Sequence, residues 1–272
     1  MSKKKRHRKQ RRGGIGRYVF TTVGIIAVVV AITAFVFVKA AYVVPVLMYH
    51  SIDYNDKATK LSVSPDSFAR QMEFLHKNHY NVVSLEKAAA GIRRGEKTPP
   101  KTVVITFDDG FYNNYRYAYP VLKKYKFPAT IFVITDEIGK AGWMDWKELE
   151  EMSDSGIISI GSHTKSHLWL PSLDAKKLED ELAGSKKVLE ERLGRKADEF
   201  CYPMGAFDRK VQDALRKTGY SCAVATNPGR FYPVDDIYAI KRVRISRTSD
   251  NLFIFWIETS GFYTWIKEHR DE

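Results

Sequence analysis

Short apolar runs alternate with amphipathic stretches along residues 42–272, and this alternation limits the fold more than any other feature. One helical pattern begins at Ser64-Pro65, and another covers about 175–193 and ends at Gly194. Such alternation favours parallel strands with crossover helices, and seven or eight units predict an irregular (β/α)7-8 barrel of the α/β class. The apolar runs are Val43–Met48, Val82–Leu85, Thr102–Phe107, Thr130–Ile134, Ile157–Ile160, Phe200–Tyr202, Ser221–Ala225 and Ile237–Ile245.

The positive charge of the chain is concentrated at its N-terminus. The first 39 residues hold ten of the 44 Lys and Arg residues and none of the 32 Asp and Glu residues. The remainder is therefore almost neutral, which argues against nucleic acid as a partner of the folded part.

Residues 18–38 form a stretch of 21 residues without a charge. As a helix this stretch is ~32 Å long, enough to cross a hydrocarbon core of ~30 Å. Basic residues next to a span stay on the cytoplasmic side. We therefore expect a basic cytoplasmic tail over 1–17, a single-pass transmembrane anchor over 18–38 and an extracytoplasmic domain over 39–272. A cleaved signal peptide, with Val38-Lys39-Ala40 as a loose cleavage site, is the alternative, and it also exports the domain.

Two adjacent carboxylates, Asp108 and Asp109, follow the apolar run that ends at Phe107. In a barrel of this type chemistry sits at the carboxyl ends of the strands. Two carboxylates there are tolerated best if one binds a cation and the other transfers a proton. The alternative is a plain turn, because Asp-Asp-Gly is favourable turn sequence.

His163 and His167 follow another apolar run and are four residues apart, a frequent spacing for metal ligands. Two neutral imidazoles and one carboxylate leave a coordination position open, which is typical of a hydrolytic site. The alternative is two surface histidines.

His50 also ends an apolar run, so we interpret it as catalytic rather than as a capping or core histidine. At a fourth strand end, the loop around Met204 offers backbone N–H groups to an oxyanion, unless it is a simple turn.

Together these residues resemble the polysaccharide deacetylases, also called the NodB-homology or carbohydrate esterase 4 family. The motifs that carry the resemblance are Thr106-Phe107-Asp108-Asp109-Gly110, His163-Thr164-x-x-His167 and Tyr202-Pro203-x-Gly205, within residues 43–248. The opening Val46-Leu47-Met48-Tyr49-His50 looks like the branch that contains poly-β-1,6-N-acetylglucosamine N-deacetylases.

The resemblance implies a role for each residue. Asp109, His163 and His167 would bind a divalent metal, with Zn²⁺ as the first choice and Co²⁺, Ni²⁺ or Fe²⁺ as alternatives. Three further groups would be catalytic: Asp108 as the general base, His50 as the general acid, and the backbone N–H of Met204 as a donor to the oxyanion.

The sequence departs from the family at the residue that orients the base. Many relatives carry an Arg where this chain has Cys201. Arg242 or Arg244 would replace it; alternation along a strand makes both point the same way, and we favour Arg242. We expect Cys201 and Cys222 to be buried free thiols rather than a disulfide.

The expected activity is metal-dependent hydrolysis of N-acetyl groups from an extracellular N-acetylglucosamine polymer, either cell-wall glycan or exported poly-N-acetylglucosamine, with release of acetate. The expected partners are this polymer and the membrane. Protein partners are not identified by the sequence. Two alternatives are a non-catalytic glycan-binding module and a deacetylase of another acetylated polysaccharide such as xylan. Sugar polymers need aromatic platforms, for which the candidates, if they are not core residues, are Tyr112, Tyr115, Trp143, Trp146 and Trp169.

Overall fold

The computed structural model describes residues 20, 22–30, 32–33, 42–54, 61–226, 235–264 and 267. The chain divides into two compact units, Met1–Tyr42 and Val43–Glu272. Among the described residues of the first unit, 20, 22–30 and 32–33 are helical. No helix among the described residues is long and apolar enough to cross a membrane. The anchor predicted over 18–38 is therefore not supported by the residues that are described, and the basic tail over 1–17 lies outside them.

The second unit is a parallel α/β barrel that is nearly closed, as predicted. Its strands pair in the order β8-β7-β6-β5-β4-β3-β1-β9, every pair is parallel, and β2 pairs with the beginning of β3. The strands are β1 Val46–Tyr49, β2 Asn81–Val82, β3 Thr102–Phe107, β4 Ala129–Val133, β5 Ile158–Ser162, β6 Glu199–Cys201, β7 Cys222–Ala225, β8 Ile240–Lys241 and β9 Val243–Arg244.

Most of the described helices of the second unit begin at a capping side chain. The Ser64 hydroxyl accepts a hydrogen bond from the Ser67 N–H, and Pro65 occupies the first helical position, as expected. Asp145 caps another helix and forms a capping box with Glu148. The α-helices of the second unit are α1 Pro65–Lys77, α2 Leu85–Arg93, α3 Tyr119–Tyr125, α4 Trp146–Asp154, α5 Ala175–Glu179, α6 Ser185–Leu193, α7 Arg209–Thr218 and α8 Leu252–Glu258.

The two ends of the sheet, β8 and β9, meet at Arg242, which is the single residue between them. β8 pairs with β7 and β9 pairs with β1, so the chain crosses from one end of the sheet to the other at this point. The expectation that Arg242 and Arg244 point the same way is therefore wrong. Alternation requires one continuous strand, and this strand is interrupted. Arg242 is buried and Arg244 is exposed.

The inside of the barrel is filled by apolar side chains from successive strands, including Val46, Val104, Phe132, Cys201 and Val224. A larger apolar cluster lies between the helices and the sheet. Cys201 and Cys222 are both buried free thiols, as predicted. They are not opposite each other, because Cys201 pairs with Val224 and Cys222 pairs with Glu199.

Candidate active site

Asp108 forms a buried ion pair with Arg242 at the carboxyl end of β3. The Nη1 and Nη2 atoms of Arg242 donate to Oδ1 and Oδ2 of Asp108 at 2.6 and 2.7 Å. Burial alone would raise the pKa of Asp108, but the guanidinium holds it well below its usual range. The structure therefore brings together the carboxylate predicted as the base and the arginine favoured as its partner.

Arg242 is itself held by three other groups. It donates to the Ala225 carbonyl oxygen at 3.3 Å, to the Thr106 hydroxyl at 3.2 Å and to the Cys201 sulfur at 3.1 Å. Burial raises the pKa of the Cys201 thiol well above its usual value, so the sulfur is a neutral neighbour of the guanidinium. Cys201, at the position where the family resemblance leads one to expect arginine, thus lies against the arginine that pairs with the predicted base.

Asp109, His163 and His167 converge on one point beside this pair. Oδ1 of Asp109 lies 3.6 Å from Nε2 of His163 and 3.9 Å from Nε2 of His167. One ligand atom from each residue lies within 4.8 Å of the others. The two imidazole rings are 4.8 Å apart, edge to face. The three predicted metal ligands are therefore brought together from the ends of β3 and β5.

The electrostatics of this cluster suit a cation. Burial, and then the charge of Asp108, raise the pKa of Asp109 to about 6, because its negative charge is incompletely compensated. Burial lowers the pKa of His163 to about 4, which keeps the ring neutral, as a metal ligand must be. Nδ1 of His163 lies 2.8 Å from the Cys201 carbonyl oxygen. A carbonyl only accepts, so Nδ1 carries the proton and Nε2 presents its lone pair to the cluster.

Asp108, His163 and Cys201 form a second group with metal-ligand spacing. Both carboxylate oxygens of Asp108 already accept from Arg242, which also donates to Cys201. A cation here would lie beside a buried guanidinium and next to a thiol that burial keeps protonated. The group that contains Asp109 is therefore the better metal site.

Four of the seven described non-glycine residues with positive φ lie at these strand ends. Asp109, Thr164, His167 and Met204 have φ values of 72°, 68°, 58° and 56°, in the left-handed region that residues other than glycine rarely adopt. Such conformations persist only where the surroundings fix them, and they are frequent at active sites.

His50 and Met204 lie at two other strand ends, as expected. Nε2 of His50 is 3.9 Å from Oδ2 of Asp108, and its buried Nδ1 has no hydrogen-bond partner among the described residues. Met204 is exposed and lies in the turn Pro203–Gly205 that follows β6.

Comparison with known proteins places the chain in a family. A family model described as polysaccharide deacetylase matches residues 95–223. The putative polysaccharide deacetylase YxkH of Bacillus subtilis is 39% identical over 202 residues, which cover 74% of this chain and 71% of the relative. The chain belongs to the polysaccharide deacetylase family. It is thus a hydrolase, and the fold and the motifs above are those of a polysaccharide deacetylase.

Two further relatives of this polysaccharide deacetylase match more than two thirds of the chain. The poly-β-1,6-N-acetyl-D-glucosamine N-deacetylase of Staphylococcus aureus is 30% identical over 200 residues, which cover 68% of each protein. The solved structure of the Streptococcus pyogenes deacetylase PplD in complex with acetate has a TM-score of 0.70 and 28% identity. It covers 78% of this chain and 97% of that chain.

The aromatic candidates for sugar contacts in this deacetylase fall into an exposed group of two residues and a half-buried group of three. Tyr112 and Trp169 are 41% and 51% exposed and are free to meet a substrate. Trp146 packs against the main apolar cluster and under the Arg192 guanidinium, so it is a structural residue. Trp143 is half-buried and packs on Phe111, with 5.7 Å between the ring centroids. Tyr115, also half-buried, donates to Glu151 at 2.7 Å.

The sequence alone does not reveal the hydrogen bonds that support the site. The Thr106 hydroxyl and the Cys201 carbonyl oxygen orient Arg242 and His163, and Glu181 bonds to the segment between the two histidines. No motif marks Glu181, because it lies on a helix 14 residues after His167.

Proposed function

We propose that this deacetylase hydrolyses N-acetyl groups of an extracellular N-acetylglucosamine polymer in a metal-dependent reaction and releases acetate. The observation that carries the proposal is the meeting of six side chains from four strand ends. They are His50 after β1, Asp108 and Asp109 after β3, His163 and His167 after β5, and Arg242 after β8. The name of the Staphylococcus aureus relative supports N-acetylglucosamine polymers as the substrate class.

The donor set fits a divalent metal. Asp109, His163 and His167 offer one oxygen and two nitrogens, and the hydrogen bond of His163 leaves its Nε2 available. When bound there, Zn²⁺, or alternatively Co²⁺, Ni²⁺ or Fe²⁺, supplies Lewis-acid polarisation and acidifies water.

The chain's own residues supply the proton transfers. Asp108 takes a proton from the attacking water as the oxygen adds to the acetyl carbon, and its pairing with Arg242 keeps it ionised for this step. The backbone N–H of Met204 donates to the oxyanion. His50 then protonates the nitrogen as the C–N bond breaks, so that acetate and a free amine leave.

We further propose that the domain acts outside the cytoplasm and is held at the cell membrane by residues 18–38. The absence of charge in that stretch and the basic residues on its N-terminal side support this placement. Protease treatment of intact protoplasts would remove the domain in that case. A domain protected until the cells are lysed would contradict it.

The activity test uses the full chain, stripped of metal by a chelator, with β-1,4 and β-1,6 N-acetylglucosamine oligomers. We expect loss of acetyl mass from one linkage when Zn²⁺ or Co²⁺ is added back. Asp109→Asn should abolish the effect, and Asp213→Asn, at an exposed aspartate, should preserve it. Metal binding without acetate release from these oligomers or from acetylated xylan would instead indicate a glycan-binding module.

A further inference from the structure

The helix that follows the second histidine contains an irregular turn. α5 and α6 are joined by a π-helical segment, Asp180–Gly184, so that residues 175–193 form one helix with a bulge in its middle. The sequence pattern predicts this helix and its end at Gly194, but not the bulge. A π-bulge adds a residue to one turn and redirects side chains, and such bulges are frequent at functional sites.

Glu181 lies in this bulge and is fully buried. Its Oε2 accepts hydrogen bonds from the N–H groups of Lys165 and Ser166 at 3.0 and 2.8 Å, and its Oε1 accepts from the Ser166 hydroxyl. Lys177, one turn earlier on the helix, lies 3.3 Å from Oε1. A buried carboxylate is costly unless it is well bonded, and these four contacts compensate the burial of Glu181.

All three hydrogen bonds from outside the helix come from the short segment between His163 and His167. The first residue of this segment, Thr164, and the residue that follows the segment, His167, have backbone conformations in the left-handed region. The His167 N–H donates to the Thr164 hydroxyl at 2.9 Å, which fixes the turn locally. The carbonyl oxygens of the segment are bound on its other side, because Thr164 and Lys165 accept from the N–H groups of Thr135 and Asp136, in the turn after β4, at 3.2 and 2.9 Å. Glu181 binds the N–H groups of the segment and attaches it to the helix.

The bulge is also tied to the strand that carries His163. The Ser185 hydroxyl lies 2.8 Å from the Ser162 hydroxyl and donates to the Glu181 carbonyl oxygen at 2.7 Å. The Ser162 hydroxyl accepts from the Thr164 N–H at 3.2 Å. Helix and histidine segment are therefore joined at Glu181 and through Ser185 and Ser162. An exposed ion pair between Lys165 and Asp180, 3.3 Å apart, adds a third link.

We propose that Glu181 is a positioning residue that holds the segment between His163 and His167 in the geometry required for metal binding. The inference rests on the proposed function, because it assigns Glu181 to the metal ligands of that same site. Glu181 contributes no ligand atom to the cluster; it acts on the backbone that presents the two imidazoles.

The test compares Zn²⁺ affinity, by competition with a chromogenic chelator, in the wild-type chain, Glu181→Ala and Glu181→Gln. Loss of partners behind a metal ligand typically weakens metal binding 10- to 100-fold, and we expect Glu181→Ala to show about that loss. Glu181→Gln should be intermediate, because one amide oxygen can still accept from both N–H groups. The matched control is Glu179→Ala, at an exposed glutamate of the same helix. Its Zn²⁺ affinity should equal that of the wild type.

A folded Glu181→Ala protein that binds Zn²⁺ as tightly as the wild type would overturn the inference, whatever its thermal stability. If this variant does not fold, Glu181→Gln and Ser166→Ala decide, and wild-type affinity in both would overturn it. The two proposals fail in distinguishable ways. A wild-type chain without Zn²⁺ affinity would remove the metal centre itself, whereas equal affinity in wild type and variants removes only the role of Glu181.

Discussion

At the residue scale, the adjacent carboxylates Asp108 and Asp109 have opposite surroundings. The Arg242 guanidinium keeps the pKa of Asp108 well below its usual range, whereas burial and the charge of Asp108 raise the pKa of Asp109 to about 6. Titratable neighbours whose pKa values are driven apart usually have different roles. The ionised Asp108 suits proton acceptance, and the uncompensated Asp109 suits a cation.

Asp108→Asn should retain Zn²⁺ and lose activity. The amide keeps the size of the side chain but accepts no proton, and general base catalysis typically contributes about 10²- to 10⁴-fold. The variant also leaves Arg242 buried without its anion, which should lower the free energy of unfolding by about 3–5 kcal/mol. Deacetylation rate, chelator competition and urea unfolding measure the three effects. A fully active variant would remove the assignment of the base.

His50→Gln should slow deacetylation by about 10²- to 10⁴-fold while Zn²⁺ affinity stays at the wild-type value. His50 is not one of the three proposed ligands, and its Nε2 is 3.9 Å from Asp108, beyond hydrogen-bond distance. Because the substitution breaks no hydrogen bond to Asp108, the free energy of unfolding should change little. Initial rates at saturating oligomer test the role, and an unchanged rate would make His50 a structural residue.

At the scale of elements, β5 carries the histidine segment and packs closely at Gly161. A Cβ added at this position would lie 2.6 Å from the Phe132 ring and 2.9 Å from the Glu199 carbonyl oxygen. Neither neighbour has a flexible end that can move aside. The position of His163, two residues later, therefore depends on the close approach of β5 to β4 and β6.

Gly161→Ala should lower the free energy of unfolding by about 1–3 kcal/mol, the usual cost of overpacking a core. The matched control is Gly91→Ala in α2, where the nearest atom to an added Cβ is 3.8 Å away. Alanine favours a helix over glycine by about 0.8–1 kcal/mol, so this control should be stabilised. Urea unfolding of both variants gives the comparison, and equal stability of the two would contradict the close packing described for β5.

At the scale of the whole molecule, the sequence predicts the barrel and the strand ends because strands buried on both faces appear as apolar runs. It predicts the direction of Arg244 wrongly, since alternation holds only along an unbroken strand and the two ends of the sheet meet at Arg242. Glu181 could not be predicted, because a π-bulge changes the phase of the helix and its contacts lie 15 and 16 residues away. Contacts distant in sequence thus fix what local patterns leave open.

The barrel as a whole should be stabilised by a metal at the site proposed for its strand ends. A ligand that binds only the folded state adds about 2.7 kcal/mol when its free concentration is 100 times Kd. For a domain of this size 1 kcal/mol corresponds to about 2–4 °C, so Zn²⁺ should raise Tm by about 5–10 °C. His167→Gln removes one ligand and should reduce the rise, whereas Glu179→Ala should retain it. His167 is a half-buried ligand of the proposed site, at the mouth of the barrel. An equal rise in Tm in His167→Gln and in the wild type would therefore place the stabilising ion elsewhere.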